Sequence, residues 1–301
     1  MEPKILQYVI MLANEKNFSR AAEQLHIAQP SLSYQIIKLE NQLGTQLFNR
    51  GHGEVQITYA GKVFVEHALK IIDQFNQLKK EIDDVADMHT GQLYIGSLAT
   101  TGAYLLPKAI PLFKNKYPGI DLVLLEDSTQ NLELLISRGQ VEISLMSMTM
   151  PTKELEVETI LEDEYFLAVP LTHPLAHSKK IDLIDFKNES FILLKKGSPF
   201  RSVTESLCKE AGFEPKVIIE SVNIMTCLSL VSTGIGIAFV PGMVIGNTTS
   251  HEPLAYLRIN QVEKRTRKVV IAYKNGRYLT KAARSFIDIM KTVTLSNNND
   301  L

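Results

Sequence analysis

One stretch of the chain constrains its fold more than any other. Between Gly61 and Gly91 the sequence contains neither glycine nor proline, and its apolar residues recur at intervals of 4, 3, 4, 3, 4 and 3. This spacing places a narrow apolar seam on a long helix, which favours pairing with another helix over burial in a broad core. We predict a dimerisation helix over residues 59–89; the alternative is a helix packed on its own domain. The seam consists of Phe64, Ala68, Ile71, Phe75, Leu78, Ile82 and Val85.

The length and charge of the chain set broad limits around this helix. A chain of 301 residues exceeds one ordinary hydrophobic core, so we expect at least two domains. The 32 Lys and Arg against 33 Asp and Glu weigh slightly against a nucleic-acid binder when taken alone. Cys208 and Cys227 make no disulfide framework, and no export signal or bilayer-spanning run of ~20 apolar residues is visible. We therefore expect a cytoplasmic protein with no membrane contact.

Three short helical patterns precede the long helix. Residues 5–13 carry one apolar face, Ser19 is placed to cap a second helix over residues 20–25, and Gln29 opens a third helix that Gly44 ends. Two helices joined by a short turn form a helix-turn-helix, and residues 50–58 indicate a short hairpin, or wing. The pattern favours DNA binding; the alternative is a helical hairpin that only packs. The outward face of the third helix carries Gln29, Ser31, Ser33, Tyr34, Gln35 and Lys38, and its inner face carries Ile36, Leu39 and Leu43.

Beyond Gly91 the sequence pattern changes, and short apolar runs alternate with amphipathic helical stretches. This alternation is typical of an α/β domain built on βαβ units. The predicted strands cover residues 93–97, 122–125, 143–146, 166–169, 192–194, 217–219, 237–240 and 269–273.

Ordered motifs along the whole chain resemble those of one family. Residues 18–33, FSRAAEQLHIAQPSLS, resemble the winged helix-turn-helix of LysR-type transcriptional regulators. Residues 91–96, GQLYIG, resemble the first strand of that family's effector domain. The remaining matches follow in the family's order, at residues 37–44, 47–50, 58–61, 173–176, 234–237, Pro241 and 279–286.

The resemblance implies an α/β fold in three parts. An N-terminal winged helix-turn-helix is expected over residues 1–58, and the linker helix over 59–89. A periplasmic-binding-protein-like (type 2) effector domain is expected over 90–301. Within it we expect subdomain I at 91–163 and 268–301, and subdomain II at 164–267, with a ligand cleft between them.

For DNA, the resemblance places the recognition helix in the major groove and Arg50 against the backbone. Tyr34 stands where the family frequently has Arg, and Ala28 where a capping Ser is common. Residues 1–60 hold five positive and five negative side chains, so affinity must depend on placed contacts and on combining modules. We predict a homo-oligomer, a dimer or a tetramer with the tetramer favoured, on double-stranded DNA of dyad symmetry. The expected DNA contacts are Gln29, Pro30, Ser31, Ser33, Tyr34, Lys38 and Arg50.

The resemblance also implies effector contacts in the cleft, although the family usually has Ser where this chain has Leu98. Taken alone, each Ser or Thr there reads better as a helix cap. Lys195, Lys196 and Arg201 suggest an anionic effector, with a solvated surface as the alternative. Met146, Met148 and Met150 suit either an apolar lining or core packing. The expected contacts are Leu98, Ala99, Thr100, Thr101, Ser128, Ser147, Gly197, Ser198, Phe200 and Arg201.

The function expected from these features is a sequence-specific DNA-binding regulator that answers to a small-molecule effector and works with RNA polymerase. No metal site is expected, because Pro174 prevents His173 and His177 from sharing a helix face. No cofactor or catalytic motif is expected either, because residues 234–236 lack the third glycine of a dinucleotide site and no hydrolase, P-loop or metalloprotease motif is present. One alternative is a solute-binding receptor, since residues 91–301 alone resemble one. The other is a redox-switched regulator using Cys208 and Cys227, for which structural burial is the competing interpretation.

Overall fold

The computed structural model describes residues 2–49, 55–85, 90–148, 153–245, 254–260 and 266–297. Its internal contacts divide the chain into two units, Met1–Asp87 and Met88–Leu301, each of which has its own core. The elements of the first unit are α1 (Pro3–Glu15), α2 (Phe18–Gln24), α3 (Gln29–Leu43), β1 (Phe48–Asn49), β2 (Gln56–Ile57) and α4 (Tyr59–Val85).

The first unit is a three-helix core with a two-stranded wing. Apolar side chains of α1, α2 and α3 meet around Leu12, Ala21 and Ile36, which are fully buried. Strand β1 pairs antiparallel with β2, so the predicted hairpin is confirmed, although its tip, including Arg50, lies outside the described residues. Gly61 has little room beside it, because a Cβ there would lie 2.2 Å from the Leu47 carbonyl oxygen. This contact seats the start of α4 against the wing.

The helix ends correct one expectation and confirm two. Asn17, rather than Ser19, caps α2, because its Oδ1 accepts hydrogen bonds from the backbone N–H groups of Ser19 and Arg20. The predicted cap, Ser19, is therefore wrong by two residues, and the helix begins at Phe18. Gly44 ends α3 with φ of 67°, the left-handed conformation that favours glycine. Ala28 precedes α3 without a side-chain cap.

The second unit is an α/β fold around one mixed sheet of strand order β4-β3-β5-β12-β6-β11-β7, with β10 also paired to β6. A separate parallel pair joins β8 and β9. Seven of the eight predicted strands are confirmed to within three residues at each end, and β7 and β11 are additional. The strand predicted at residues 166–169 is only the last part of β6, which begins 11 residues earlier, at Leu155. The strands are β3 (Gly91–Ser97), β4 (Ile120–Glu126), β5 (Ile143–Ser147), β6 (Leu155–Pro170), β7 (Lys180–Ile181), β8 (Ser190–Leu194), β9 (Lys216–Ser221), β10 (Ala238–Pro241), β11 (Leu254–Ile259) and β12 (Thr266–Lys274).

Helices pack on this sheet and on the β8–β9 pair, in keeping with the expected fold class. None of the helices in the described part of the chain combines the length and the apolar character of a membrane span. The helices are α5 (Ala99–Lys116), α6 (Thr129–Ser137), α7 (Pro199–Glu210), α8 (Ile224–Ser232) and α9 (Lys281–Asn297), with short 3-10 turns at Leu183–Phe186 and Gly242–Val244.

Strand β6 joins the two halves of the second unit. Its residues up to Glu164 pair with β12, whereas Tyr165 and the residues after it pair with β10 and β11. Strand β12 returns alongside the same switch point, where Thr266 and Arg267 lie opposite Glu164 and Asp163. Subdomain I and subdomain II are therefore connected by two adjacent strands. The cleft described below lies at this switch point.

Candidate functional sites

Helix α3 presents the polar face that the sequence predicts. Gln29, Pro30, Ser31 and Lys38 are exposed, and Tyr34 is 63% exposed, whereas Ser33 is half-buried. The hydroxyl, amide and ammonium groups of this face can contact base edges and phosphates. Arg50, the remaining expected DNA contact, lies outside the described residues.

The inner face of α3 contains a residue that sequence reasoning missed. Glu40 is 7% exposed, and its Oε1 accepts hydrogen bonds from the N–H groups of Leu47 and Phe48 at 2.8 and 3.1 Å. This carboxylate therefore fixes the start of the wing to the recognition helix. Leu43, which was predicted on the inner face, is 40% exposed, so that expectation is wrong. Glu40 replaces it because the polypeptide turns back over this end of the helix.

The apolar seam of α4 divides into two parts. Ala68 is 1% exposed and Phe64 packs against the core of the first unit, so the alternative interpretation holds for these two residues. Further along, the seam has no cover within its own unit. The exposed fractions there are 54% for Ile71, 56% for Phe75, 55% for Leu78 and 58% for Ile82; the side chain of Val85 lies outside the described part of the structure. This second part is a surface that suits another apolar helix.

A cleft of about 560 Å³ lies in the second unit where subdomain I and subdomain II meet. The first turns of α5, α6 and α7 line it, and backbone N–H groups at such helix starts attract anions. Nine of the ten predicted effector residues line this cleft. They are Leu98, Ala99, Thr100, Thr101, Ser128, Ser147, Gly197, Ser198 and Phe200.

Arg201 is the exception, and the prediction for it is wrong. Its side chain is buried on the far side of α7, where Nη1 donates to the Leu194 carbonyl oxygen at 2.8 Å. Nε lies 2.8 Å from a carboxylate oxygen of Glu205, and Nη1 lies 3.4 Å from one of Glu220. These contacts join α7 to β8 and β9 and hold the guanidinium away from the cleft.

Arg267 supplies the buried cation that Arg201 was expected to supply. It lines the cleft at 7% exposure, and its Nε donates to Asp163 Oδ2 at 3.0 Å across the β6–β12 ladder. Its Cζ lies 5.8 Å from the centre of the Phe200 ring. Burial raises the pKa of Asp163, and this shift is opposed by Arg267 and by the Met243 and Gly242 N–H groups. Sequence patterns gave no signal for this pair, because the partners are far apart in the chain.

Two carboxylates that the sequence reading did not select also line the cleft. Glu126 ends β4, and Asp127 follows it. Hydrogen bonds from the Asn131 side chain and the Ser128 N–H lower the pKa of Asp127. Lys195 and Lys196 line the opposite wall, so both lie at the cleft as predicted from the sequence.

Several hydroxyl groups at the cleft have different structural roles. Ser128 caps α6, since its Oγ accepts the Asn131 N–H at 3.4 Å, so the cap interpretation holds for this residue. Thr101 and Thr129 are buried at the cleft wall, and their hydroxyls have no hydrogen-bond partner among the described residues. Ser198 begins α7 without a side-chain cap. The Ser198 hydroxyl is therefore available to a ligand, whereas those of Thr101 and Thr129 are buried behind the cleft surface.

The remaining sequence signals belong to the protein core. Met146 and Met148 pack in a buried cluster, whereas Met150 lies outside the described residues. Burial raises the pKa of the Cys208 thiol to about 12 and that of Cys227 to about 11, so both stay protonated and poorly reactive at neutral pH. His173 stacks on Phe186. Across the described residues, no group of His, Cys, Asp and Glu is arranged to hold a metal ion.

Comparison with known proteins covers both units. A family model described as a bacterial regulatory helix-turn-helix protein of the lysR family matches residues 3–62, and one described as the LysR substrate binding domain matches residues 86–294. The HTH-type transcriptional regulator YcgK of Bacillus subtilis (strain 168) is 33% identical over 97% of this chain and 94% of its own length.

Two further proteins are similar over nearly the whole chain. The hydrogen peroxide-inducible genes activator of Dickeya chrysanthemi is 28% identical over 92% of this chain and 90% of its own length. The crystal structure of full-length CbnR complexed with its target DNA covers 97% of this chain and 99% of its own, with a TM-score of 0.71 and 22% identity. At that identity the structural likeness supports the fold alone.

Proposed function

Because this chain belongs to the LysR family of bacterial transcriptional regulators, we propose that α3, the exposed part of the α4 seam and the cleft serve as its DNA, oligomer and effector sites. The family consists of DNA-binding transcriptional regulators with a substrate-binding domain that responds to small molecules, and it is not a family of enzymes. A solute-binding receptor is thereby set aside, since residues 3–62 match the regulatory helix-turn-helix.

The DNA site is proposed on the exposed face of α3. Gln29, Ser31 and Tyr34 are placed to read base edges, and Lys38 and Arg50 to contact phosphate. Each module carries equal numbers of positive and negative side chains, so one module alone binds weakly. Two modules held by paired α4 helices bind a dyad-symmetric site with the gain that linkage provides, and two such dimers form the proposed tetramer.

The effector site is proposed in the cleft, and one observation carries this proposal. The cleft lies on the two strands that connect subdomain I to subdomain II, and helix starts from both subdomains line it. A small molecule that contacts both walls favours the closed arrangement over the open one, by an amount equal to its differential affinity. RNA polymerase as a partner and a cytoplasmic location are supported by the family's role in transcription.

The test uses the full-length protein and a DNA fragment selected by its own binding from genomic DNA. Candidate metabolites are titrated, and DNA affinity is followed by fluorescence anisotropy. The double variant Thr100→Ala, Ser198→Ala should lose the response to the active metabolite and keep its basal DNA affinity. Replacing Ser206 and Ser229, which lie on α7 and α8 and do not line the cleft, is the matched control. An unchanged response in the first variant would contradict the cleft as effector site.

A redox-switched regulator is not favoured by the structure of this chain. Both cysteine thiols are buried, and burial raises both thiol pKa values. The peroxide-inducible activator of Dickeya chrysanthemi is a relative at 28% identity, which carries no residue role to this chain. Loss of the regulatory response in Cys208→Ser would revive the redox interpretation.

A further inference from the structure

The charges that line the cleft are separated by wall. Glu126 and Asp127 lie on the wall of subdomain I, whereas Lys195 and Lys196 lie on the wall of subdomain II. Among the described residues, none forms a salt bridge with Glu126, Lys195 or Lys196. The cleft is therefore polarised from one wall to the other, and its charge is not simply positive.

The subdomain II wall and the floor are suited to an anionic group. The first turn of α7 opens into the cleft, and the Ser198 side chain makes no capping hydrogen bond to the backbone N–H groups of this turn. Arg267 is 7% exposed at the floor, where Nε and Nη2 contact Asp163 and Nη2 also contacts the Met243 sulfur. No described residue accepts a hydrogen bond from Nη1. A carboxylate of the ligand can accept from Nη1 and from the start of α7.

The subdomain I wall is suited to a cationic group instead. A Cβ placed on Gly102, in the first turn of α5, would lie 3.3 Å from Glu126 Oε1. The positive end of the α5 dipole thus already faces a carboxylate of the protein, and a second anion there would be repelled. Asp127 adds a second negative charge, since hydrogen bonds from Asn131 and Ser128 lower its pKa.

We infer that the effector is a small zwitterion, with a carboxylate held by Arg267 and α7 and an ammonium group held by Glu126 and Asp127. Its short apolar body lies against Leu98 and Phe200. This inference rests on the proposed function, because it names the chemical class that the proposed effector cleft binds. It also replaces the simple anion that the lysines alone suggested.

The test compares ligands of matched length on the full-length protein. The panel contains 5-aminovalerate, glutarate, valerate and 1,5-diaminopentane, together with the twenty α-amino acids, and binding is measured by thermal shift and calorimetry. At least one zwitterion should bind at least tenfold more tightly than valerate, glutarate and 1,5-diaminopentane. Glu126→Gln should remove most of this preference, and Glu126→Lys should reverse it in favour of the dicarboxylate. Asp121→Asn, an exposed acid at the opposite end of β4, is the matched control.

The outcomes separate this inference from the proposed function. If a dicarboxylate binds most tightly to the wild type, or if no zwitterion of the panel binds, the inference is overturned. The proposed effector site still stands if another class of ligand changes DNA affinity and the Thr100 and Ser198 replacements abolish that change. If Glu126→Gln and Glu126→Lys retain the wild-type preference, the polarity assigned to the subdomain I wall is wrong.

Discussion

Two neighbouring arginine–carboxylate pairs on strand β6 allow the cost of burial to be measured, one with Arg267 of β12 and the other with Arg258 of β11. Asp163 and Glu164 are consecutive in β6, and each pairs with an arginine. The side chains of Arg267 and Asp163 are 6% and 5% exposed, whereas those of Arg258 and Glu164 are 47% and 29% exposed. The exposed pair has the better geometry, because Nε and Nη2 of Arg258 contact separate oxygens of Glu164 at 2.8 and 2.6 Å. Contact geometry and burial therefore predict opposite orders for the stability that is lost when each arginine is replaced.

Burial should decide the ranking. Arg267→Met leaves the Asp163 carboxylate buried without its counter-charge, which costs roughly 3–5 kcal/mol. Arg258→Met leaves Glu164 in contact with water and should cost less than about 1 kcal/mol. For a domain of this size, 1 kcal/mol corresponds to about 2–4 °C in Tm, so the expected losses are roughly 6–20 °C and less than about 4 °C. Urea unfolding and calorimetry of the two full-length variants measure both values.

The pH dependence of stability provides a second test of the buried pair, because the direction of the change can be predicted. Burial already raises the pKa of Asp163, and removal of the Arg267 charge should raise it further. In the pH range between the unfolded and folded pKa values the native state binds more protons, so stability increases as the pH falls. The difference in stability between Arg267→Met and wild type should therefore narrow on acidification from neutral pH. Equal losses in the two variants, or a difference that widens on acidification, would refute the reasoning.

Three further predictions concern the other sites. Lys38→Ala should weaken DNA binding on all sequences alike and lower the salt slope by about 1, as a lost phosphate contact does; a change in base preference alone would contradict this role. Phe75→Asp should dissociate the dimer in sedimentation experiments and lower DNA affinity by roughly 10²-fold, whereas Val63→Asp, on the same helix and off the seam, should do neither. Cys208→Ser and Cys227→Ser should leave the effector response intact, which in vitro transcription with and without peroxide would check.

The periodic features of the chain could be predicted from the sequence because they depend on local spacing. The helices around Leu12 and Ile36 and the strands of the sheet follow from apolar periods that neighbouring residues set. Nine cleft residues were found as well, since polar residues after strands and at helix starts gather at one edge of an α/β sheet.

Errors arose where a side chain could turn towards either of two surroundings. Arg201 and Arg267 are both basic residues near the cleft, but only the rotation of α7 and the β6–β12 register decide which one faces it. The structural role of Glu40 was not predicted because its partners, Leu47 and Phe48, lie beyond the helix end. In each case the deciding contact joins separate elements, and no local pattern in the sequence encodes it.

Four buried charged residues change what the charge balance of the chain means. A net charge of −1 treats every ionisable side chain as part of the surface, yet Glu40, Asp163, Arg201 and Arg267 are all buried. Withdrawal of Glu40 leaves the surface of the DNA-binding unit less acidic than its sequence, close to the face that carries Lys38. In the cleft, removal of Arg201 and the presence of Glu126 and Asp127 replace an expected positive field with opposed walls. The kind of ligand that each site can bind therefore depends on which charged groups remain accessible. At the DNA-binding face and at the cleft, the accessible charges differ from the formal charges counted in the sequence.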